Sequence, residues 1–162
     1  MRRFWLITGM VCLVLPVAAA QTKFSGTEQC GKPDPQHMIQ VGDRPNHAIG
    51  IEQMKCTWPK PFEMEGVQIK ESINTAFNDA SGNTSRTRGY DVGTMANGDK
   101  LHVRYQGSTT LKEGVPQGGE GTWSFFGGTG KLKGIKGKGT WKCKPAGEGM
   151  TCEIEGEYEL PK

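Results

Sequence analysis

Hydrophobic and polar residues alternate through the last third of the chain, with the period typical of a β-strand that buries one face. Two such stretches, residues 131–144 and 150–160, flank a segment rich in proline and glycine, and folding them at Gly147 and Glu148 aligns them as an antiparallel hairpin. A slip of one residue would invert both faces, so the pattern predicts the register as well as the hairpin. The expected pairs are Cys143–Cys152, Trp141–Ile154, Gly139–Gly156, Gly137–Tyr158 and Ile135–Leu160 on the apolar face, and Lys142–Glu153, Lys138–Glu157 and Lys136–Glu159 on the charged face.

Turn residues divide the rest of the chain into further strand-like stretches, and no stretch shows a strong helical period. Asn97-Gly98 is the sharpest turn signal, because a two-residue hairpin turn needs positive φ at both positions. Many antiparallel strands in a small domain indicate a closed barrel or a sandwich. Eight strands are predicted, at about residues 36–42, 47–57, 65–78, 83–95, 99–111, 119–127, 131–144 and 150–160.

The same pairing argument predicts which side chains of the middle strands point inward. Turns at residues 97–98 and near 80–81 place Tyr90 opposite both Tyr105 and Glu71. We expect the inner face to be the one that collects the aliphatic and aromatic residues Val67, Ile69, Ile73, Phe77, Val92, Leu101 and Val103. In this register that face also carries four polar side chains, those of Glu71, Arg88, Tyr90 and Tyr105.

The first twenty residues read as a secretory signal. Arg2 and Arg3 precede an apolar stretch from Phe4 to Val17, and three alanines before Gln21 form a small-residue cleavage site. The apolar stretch is shorter than the ~20 residues that a membrane-spanning helix needs. We therefore expect residues 1–20 to be removed, residues 21–162 to form a single β-barrel domain, and the product to be periplasmic or secreted.

The charge of the predicted mature chain argues against a nucleic-acid partner. The full sequence has 20 basic and 17 acidic residues, and losing Arg2 and Arg3 with the signal leaves 18 basic residues and a formal charge of +1. Nucleic-acid binding needs a clustered basic surface. The one dense lysine run, residues 131–144, lies opposite glutamates in the predicted hairpin, which favours a solvated face over an anion-binding site.

The cysteines predict two disulfides. Four cysteines remain after residue 20, and an even number in an exported chain favours bridges. The hairpin register selects Cys143–Cys152, which leaves Cys30–Cys56. Zinc is the alternative, but the cysteines include no C-x-x-C pair, and His37 and His47 alone would bind a metal weakly. We expect no metal and no cofactor.

Two segments resemble a known group of proteins. The run Gly127-Gly128-Thr129-Gly130-Lys131-Leu132, followed by Gly134, Gly137 and Gly139, resembles the signature of allene oxide cyclase-like barrels, and residues 98–107 add to the likeness. The group includes plant allene oxide cyclases, dirigent proteins and uncharacterised bacterial exported proteins, to which the chain looks most similar. The resemblance implies an eight-stranded antiparallel, calycin-like barrel with a cavity, often assembled as a trimer. No catalytic residue of the group can be carried over to this chain.

The predicted inner polar group is the candidate ligand-binding site. Glu71, Arg88, Tyr90 and Tyr105 could orient the polar head of a molecule whose apolar tail contacts the aliphatic residues; the alternative is a buried Glu71–Arg88 ion pair capped by tyrosines. We favour non-catalytic binding of a small, partly apolar molecule. The first alternative is an isomerase or cyclase acting on an apolar substrate, with Glu71 and Tyr90 or Tyr105 as acid and base. The second is a structural, envelope-associated protein.

Overall fold

The computed structural model describes residues 21–161, so the predicted signal sequence lies outside the described residues. The fold is all-β, with one short 3₁₀ turn at Gly130–Leu132. Within residues 21–161 there is no helix long and apolar enough to cross a membrane. The strands are β1 (Thr22–Cys30), β2 (Gln36–Gln40), β3 (His47–Lys60), β4 (Glu63–Met64), β5 (Val67–Ser81), β6 (Thr84–Met95), β7 (Lys100–Lys112), β8 (Val115–Gly128), β9 (Lys136–Ala146) and β10 (Gly149–Glu159).

Eight of these strands close into an antiparallel barrel. Strands β5 to β10 follow one another in sequence order, β1 pairs with β10, and β3 closes the ring by pairing with both β1 and β5. The short strands β2 and β4 extend the wall beside β3 and β5. The predicted eight-stranded antiparallel barrel is therefore confirmed.

The predicted number of barrel strands is correct, but one of the eight predicted strands is not part of the ring. Residues 36–42 were counted as a barrel strand, whereas β1 fills that place in the ring and was missed. The inward positions of β1 are Phe24, Gly26, Glu28 and Cys30. Glycine and glutamate at two of these positions obscure the hydrophobic alternation by which a half-buried strand is detected.

The C-terminal hairpin has the predicted register. Cys143 pairs with Cys152, Trp141 with Ile154 and Lys142 with Glu153, and the ladder ends at Ala146 and Gly149 around the predicted turn. The Ile135–Leu160 pair falls outside this ladder, because β9 starts at Lys136. Lysines and glutamates lie opposite one another, yet the ion pairs found in residues 21–161 involve Arg44 and His47 instead. The charged face is thus aligned across the strands without forming close ion pairs.

Both predicted disulfides are present. Cys30 on β1 is bonded to Cys56 on β3, and Cys143 on β9 is bonded to Cys152 on β10. Each bridge joins two directly paired residues of neighbouring strands. The cross-links therefore fasten two strand pairs of the barrel wall at the level of Cys30 and Cys152.

Two local features turn the middle strands relative to their predicted orientation. A bulge between Ile69 and Glu71 in β5 reverses the side-chain alternation, so that Ser72 and Asn74 point inward. The β6–β7 turn is a three-residue loop, residues 96–98, in which the Met95 N–H donates to the Asp99 carbonyl oxygen at 2.8 Å. Gly98 alone has positive φ in that loop, so the two-residue turn predicted at Asn97-Gly98 is wrong. The extra loop residue shifts the β6–β7 register by one.

One end of the barrel is filled with apolar side chains. Phe62, Met64, Met95, Leu101 and Leu132 are almost fully buried there. Higher in the barrel, glycines make room for large rings: a Cβ on Gly156 would lie 2.8 Å from Cη2 of Trp123. Since this distance is below van der Waals contact, the absence of a side chain at Gly156 lets the Trp123 indole pack against the β9–β10 hairpin.

Candidate functional site

The other end of the barrel contains a cavity of about 540 Å³. Its lining runs from Phe62 and Leu101, at the packed end, to Gly114 and Gly147 in the β7–β8 and β9–β10 turns. The cavity therefore lies along the barrel axis, and its mouth is the end that carries those two turns.

The cavity has two chemically different walls. Strands β7 to β10 contribute apolar and aromatic side chains, among them those of Val103, Trp123, Phe125, Trp141 and Ile154. Strands β3, β5 and β6 contribute polar side chains, and β1 adds a carboxyl group. The residues of the polar wall are Glu28, Glu52, Asn74, Asn78, Thr87 and Asp91.

Glu28 and Asp91 form a pair of buried carboxyl groups in the polar wall. Glu28 is 6% exposed and accepts a hydrogen bond from the Ser72 hydroxyl. Burial raises the pKa of Glu28 to about 7, and the Ser72 hydrogen bond offsets part of the shift. Burial, followed by the nearby charge of Glu28, raises the pKa of Asp91 well above its usual value. Oδ2 of Asp91 has no hydrogen-bond partner among the described residues.

Tyr105 lies beside this pair and donates from its hydroxyl to Oδ1 of Asn74 at 2.8 Å. Burial raises the pKa of the Tyr105 phenol, so the group is a neutral donor at physiological pH. Gly89 on β6 is paired with Tyr105, and a Cβ there would lie 2.6 Å from the phenol oxygen. The absence of a side chain at Gly89 is therefore what allows the tyrosine to lie across β6.

A second series of polar side chains runs toward the mouth, and its members are hydrogen-bonded to one another. The Glu52 carboxylate accepts from Nε2 of Gln36 and from Nδ2 of Asn78, each at 2.9 Å. Oδ1 of Asn78 accepts from the Thr87 hydroxyl at 2.8 Å. Glu52 thus has its partners within the protein, in contrast to Asp91.

Comparisons with known proteins identify the fold of the chain. No family model matches the chain, and no curated protein matches it. Among solved structures, a pterocarpan synthase dirigent protein superimposes with a TM-score of 0.52 at 12% identity, covering 96% of this chain and 98% of that chain. The chain has a dirigent-like barrel fold. A conserved protein of unknown function from Rhodopseudomonas palustris superimposes with a TM-score of 0.53 at 12% identity, covering 88% of this chain and 100% of the other. Identity this low supports the fold alone.

In this dirigent-like barrel, three of the four predicted site residues point outward. Glu71 and Arg88 are exposed, and Tyr90 is 58% exposed. Arg88 lies over the ring of Phe77, 4.7 Å from its centroid. The predicted inward position is wrong for Glu71, Arg88 and Tyr90, because the bulge in β5 and the three-residue β6–β7 loop put them on the outer face.

Tyr105 is the member of the predicted group that lines the cavity. Glu71 pairs with Thr94, and Arg88 pairs with Phe77 on the outside of the sheet, so the alternative of a buried Glu71–Arg88 ion pair is also wrong. The predicted inner apolar face is corrected in the same way. Its inward members are Val67, Ile69, Leu101 and Val103, whereas Ile73, Phe77 and Val92 point outward.

Sequence reasoning missed Glu28 and Asp91. Glu28 could have been found, because it lies two residues before Cys30 on a strand whose cysteine had already been assigned to a bridge. Residues two apart on a strand share a face, so a bridge facing the interior brings Glu28 inward with it. Asp91 had no such signal, since its neighbours Tyr90 and Val92 look more suited to a buried face.

The histidines lie away from the lumen. His47 is held between the Asp43 carboxylate and Oδ1 of Asp79, the latter at 3.0 Å from Nε2. His37 is exposed on β2, and His102 packs beside the outer ring of Phe126, with centroids 5.7 Å apart. In residues 21–161 one group of three metal-ligand atoms converges, from Glu28, Cys30 and Cys56, but the two sulfurs are bonded to each other. That group therefore does not offer the thiolates that a metal would need.

Proposed function

We propose that this protein binds a small, partly apolar molecule in the lumen of its barrel without transforming it. The observation that carries the proposal is the division of a cavity of about 540 Å³ into an aromatic wall and a polar wall. Ligand pockets typically have volumes of ~300–1,000 Å³ and combine apolar walls with a few placed polar groups. The lumen therefore suits a ligand with an apolar body and one polar end, and Tyr105 is among the groups that would contact the polar end.

We propose in addition that the protein is exported, to the periplasm or the exterior. Residues 1–20 would be the signal that is removed, and residues 21–162 the single mature domain. The composition of residues 1–20 supports this, as do the Cys30–Cys56 and Cys143–Cys152 bridges, since disulfides persist in oxidising compartments.

One observation favours a second candidate, an isomerase or cyclase acting on an apolar substrate. Burial raises the pKa of Glu28 to about 7, near the value at which a carboxyl group exchanges protons most effectively at neutral pH. Glu28, Asp91 and Tyr105 would take the acid and base roles that the sequence suggested for Glu71, Tyr90 and Tyr105. Binding remains preferred, because paired catalytic acids and bases have pKa values pushed apart, whereas those of Glu28 and Asp91 are both raised.

The outer face supports a proposal about assembly. The exposed large side chains of Tyr90 and Val92 on β6 and of Phe126 on β8 form one patch, and the rings of Tyr90 and Phe126 lie 5.7 Å apart. We propose that this patch joins copies of the chain into a homo-oligomer, for which the family resemblance suggests a trimer. An envelope-associated structural role would use the same patch. Light scattering should show a lower mass for Tyr90→Lys than for Val115→Lys, a control at an exposed residue of the mouth.

Lumen binding is tested with N-phenyl-1-naphthylamine, a neutral apolar dye that fluoresces on leaving water. Val103 lines the cavity and is the β7 partner of Asp91 on the neighbouring strand β6. Val103→Trp should therefore fill the lumen and abolish the fluorescence gain. Gln106→Trp adds the same ring to the outer face of the same strand and serves as the matched control. Thermal unfolding of both variants establishes that they are folded. Equal dye binding by the two variants would contradict the proposal.

A further inference from the structure

The charged groups that line the lumen are unbalanced. Four carboxyl groups line it, those of Glu28, Glu52, Asp91 and Glu148, against one cation, Lys32, among the described residues. Lys32 is exposed. The buried part of the cavity therefore contains carboxyl groups without a matching positive group from the described residues.

The buried carboxyl pair of Glu28 and Asp91 has few hydrogen-bond donors. Glu28 receives one hydroxyl donor, from Ser72, and Oδ2 of Asp91 is buried with no partner among residues 21–161. A buried carboxylate oxygen without a donor is costly, so the pair either holds protons or accepts a cation. The raised pKa values of both groups indicate that the free protein retains protons there. A ligand that brings its own positive charge would replace them.

The opposite wall suits the rest of such a ligand. Across from the polar wall, β8 and β9 line the lumen with Trp123, Phe125 and Trp141. Aromatic faces attract organic cations and also pack against apolar bodies. A metal ion would leave most of the cavity of about 540 Å³ empty and would need more oxygen ligands than this pair supplies. An organic cation uses both walls.

We propose that the lumen selects an amine whose ammonium group binds Glu28 and Asp91 and whose apolar body packs against the aromatic wall. The inference rests on the proposed lumen binding and specifies its ligand class. The ammonium donates to the carboxylate oxygens, and the protons held by the free pair leave to solvent. Oδ2 of Asp91 thereby gains the donor that residues 21–161 do not provide.

Three probes that share an indole ring test this: tryptamine, tryptophol and indole-3-acetate, which are cationic, neutral and anionic. Isothermal titration calorimetry at about pH 8 keeps the amine protonated and lies above the value of about 7 to which burial raises the pKa of Glu28. We expect tryptamine to bind at least about tenfold more tightly than tryptophol, in line with charge-assisted hydrogen bonds, and indole-3-acetate to bind least.

The variants Glu28→Gln and Asp91→Asn should each weaken tryptamine binding by about tenfold or more and leave tryptophol binding nearly unchanged. Glu155→Gln, on the exposed face of β10, is the matched control and should bind tryptamine as the wild type does. Equal affinity of the wild type for tryptamine and tryptophol would overturn the amine preference but leave lumen binding intact. Failure of all three indoles, together with unchanged dye binding by Val103→Trp, would overturn the proposed function as well.

A proton-release measurement keeps the inference testable if a variant fails to fold. Titrations of the wild type at about pH 6 in two buffers of different ionisation enthalpy should show protons leaving as tryptamine binds, and the affinity should rise toward pH 8. No proton release would contradict the inference. The titratable groups that face Glu28 from other strands of the barrel are Asp91 on β6, Tyr105 on β7 and, further along the polar wall, Glu52 on β3.

Discussion

At the scale of single residues, the protein keeps two carboxyl groups where water and donors are scarce. Glu28 and Asp91 are each held by the barrel wall and not by a counter-charge from the chain. Such groups lower stability in their ionised form, because desolvation disfavours the charge. Their retention in the lumen is explained if a ligand uses them, which ties the residue scale to the proposed function.

Glu28 should make stability fall as pH rises. Its pKa lies near 7 in the folded chain and at the ordinary value of 4.5 when unfolded, so its contribution is fully present below about pH 4.5 and is lost through about pH 7. The loss for a shift of this size is of order 3 kcal/mol. Urea unfolding across this range should show a steeper decline in stability for the wild type than for Glu28→Gln. Parallel curves for the two proteins would contradict the assignment.

His47, which is buried outside the lumen, should also make stability fall as pH rises. Its hydrogen bond to Asp43, followed by the one to Asp79, raises its pKa, and the same bond lowers the pKa of Asp43. The stabilisation is therefore complete just below the usual histidine value and disappears as pH rises through the raised one. His47→Gln should remove this dependence in urea unfolding, whereas His37→Gln, at an exposed site on β2, should not. An equal change in the pH dependence of stability in both variants would contradict the role assigned to His47.

At the scale of strands and turns, the hairpin of β9 and β10 was predictable and the sheet of β5 to β7 was not. Apolar and polar residues alternate without interruption in the hairpin, and its cysteine pair and its opposed charges each indicate the same register. In β5, the single extra residue near Lys70 reverses the faces, and the loop at residues 96–98 does the same for β6 and β7. A bulge and a three-residue loop carry no hydrophobic signature, so a fixed period of two cannot reveal them.

The same two features, the β5 bulge and the three-residue β6–β7 loop, explain why most of the site predicted from the sequence is wrong. Tyr105 was placed correctly because β7 carries the apolar residues Leu101 and Val103 on the same face. Glu71, Arg88 and Tyr90 were displaced because their strands were registered across the wrong turns. Whether a candidate residue points into the lumen thus depends on strand register. Where both faces of a strand carry apolar residues, the sequence constrains that register only weakly.

Packing of the hairpin against β8 should depend on Gly156. Gly156→Ala places a methyl group within 2.8 Å of the Trp123 ring, and overpacking of this kind costs ~1–3 kcal/mol. Gly127→Ala is the matched control, because a Cβ there meets nothing nearer than 3.4 Å. Urea unfolding should show a clear loss for Gly156→Ala and a small change for Gly127→Ala; equal losses would contradict the packing argument.

At the scale of the whole molecule, the barrel is packed at one end and hollow at the other. Met64, Met95 and Leu132 fill the packed end, and the lumen begins above them and reaches the β7–β8 and β9–β10 turns. This division separates stability from binding, because the packed end can sustain the fold while the hollow end keeps its volume. The two disulfides fasten the wall of the hollow end, where Cys30, Cys143 and Cys152 line the cavity.

The two bridges should contribute unequally to stability. Cys30–Cys56 spans a sequence separation of 26 residues and Cys143–Cys152 one of 9, and a longer closed loop restricts the unfolded chain more. Replacing both cysteines of a pair by serine should therefore cost ~2–4 kcal/mol for Cys30–Cys56 and less for Cys143–Cys152. Urea unfolding of the two double variants measures the order, and the reverse order would contradict the loop argument.

The central claim is that the lumen holds a small molecule, and native mass spectrometry of the protein purified from its own host tests it most directly. The wild type should carry a discrete additional mass, which tandem measurement should release as an amine-containing compound. Val103→Trp, which fills the cavity, should lack that mass, and Gln106→Trp should retain it. An unladen wild type, or a mass retained equally by Val103→Trp, would contradict the account.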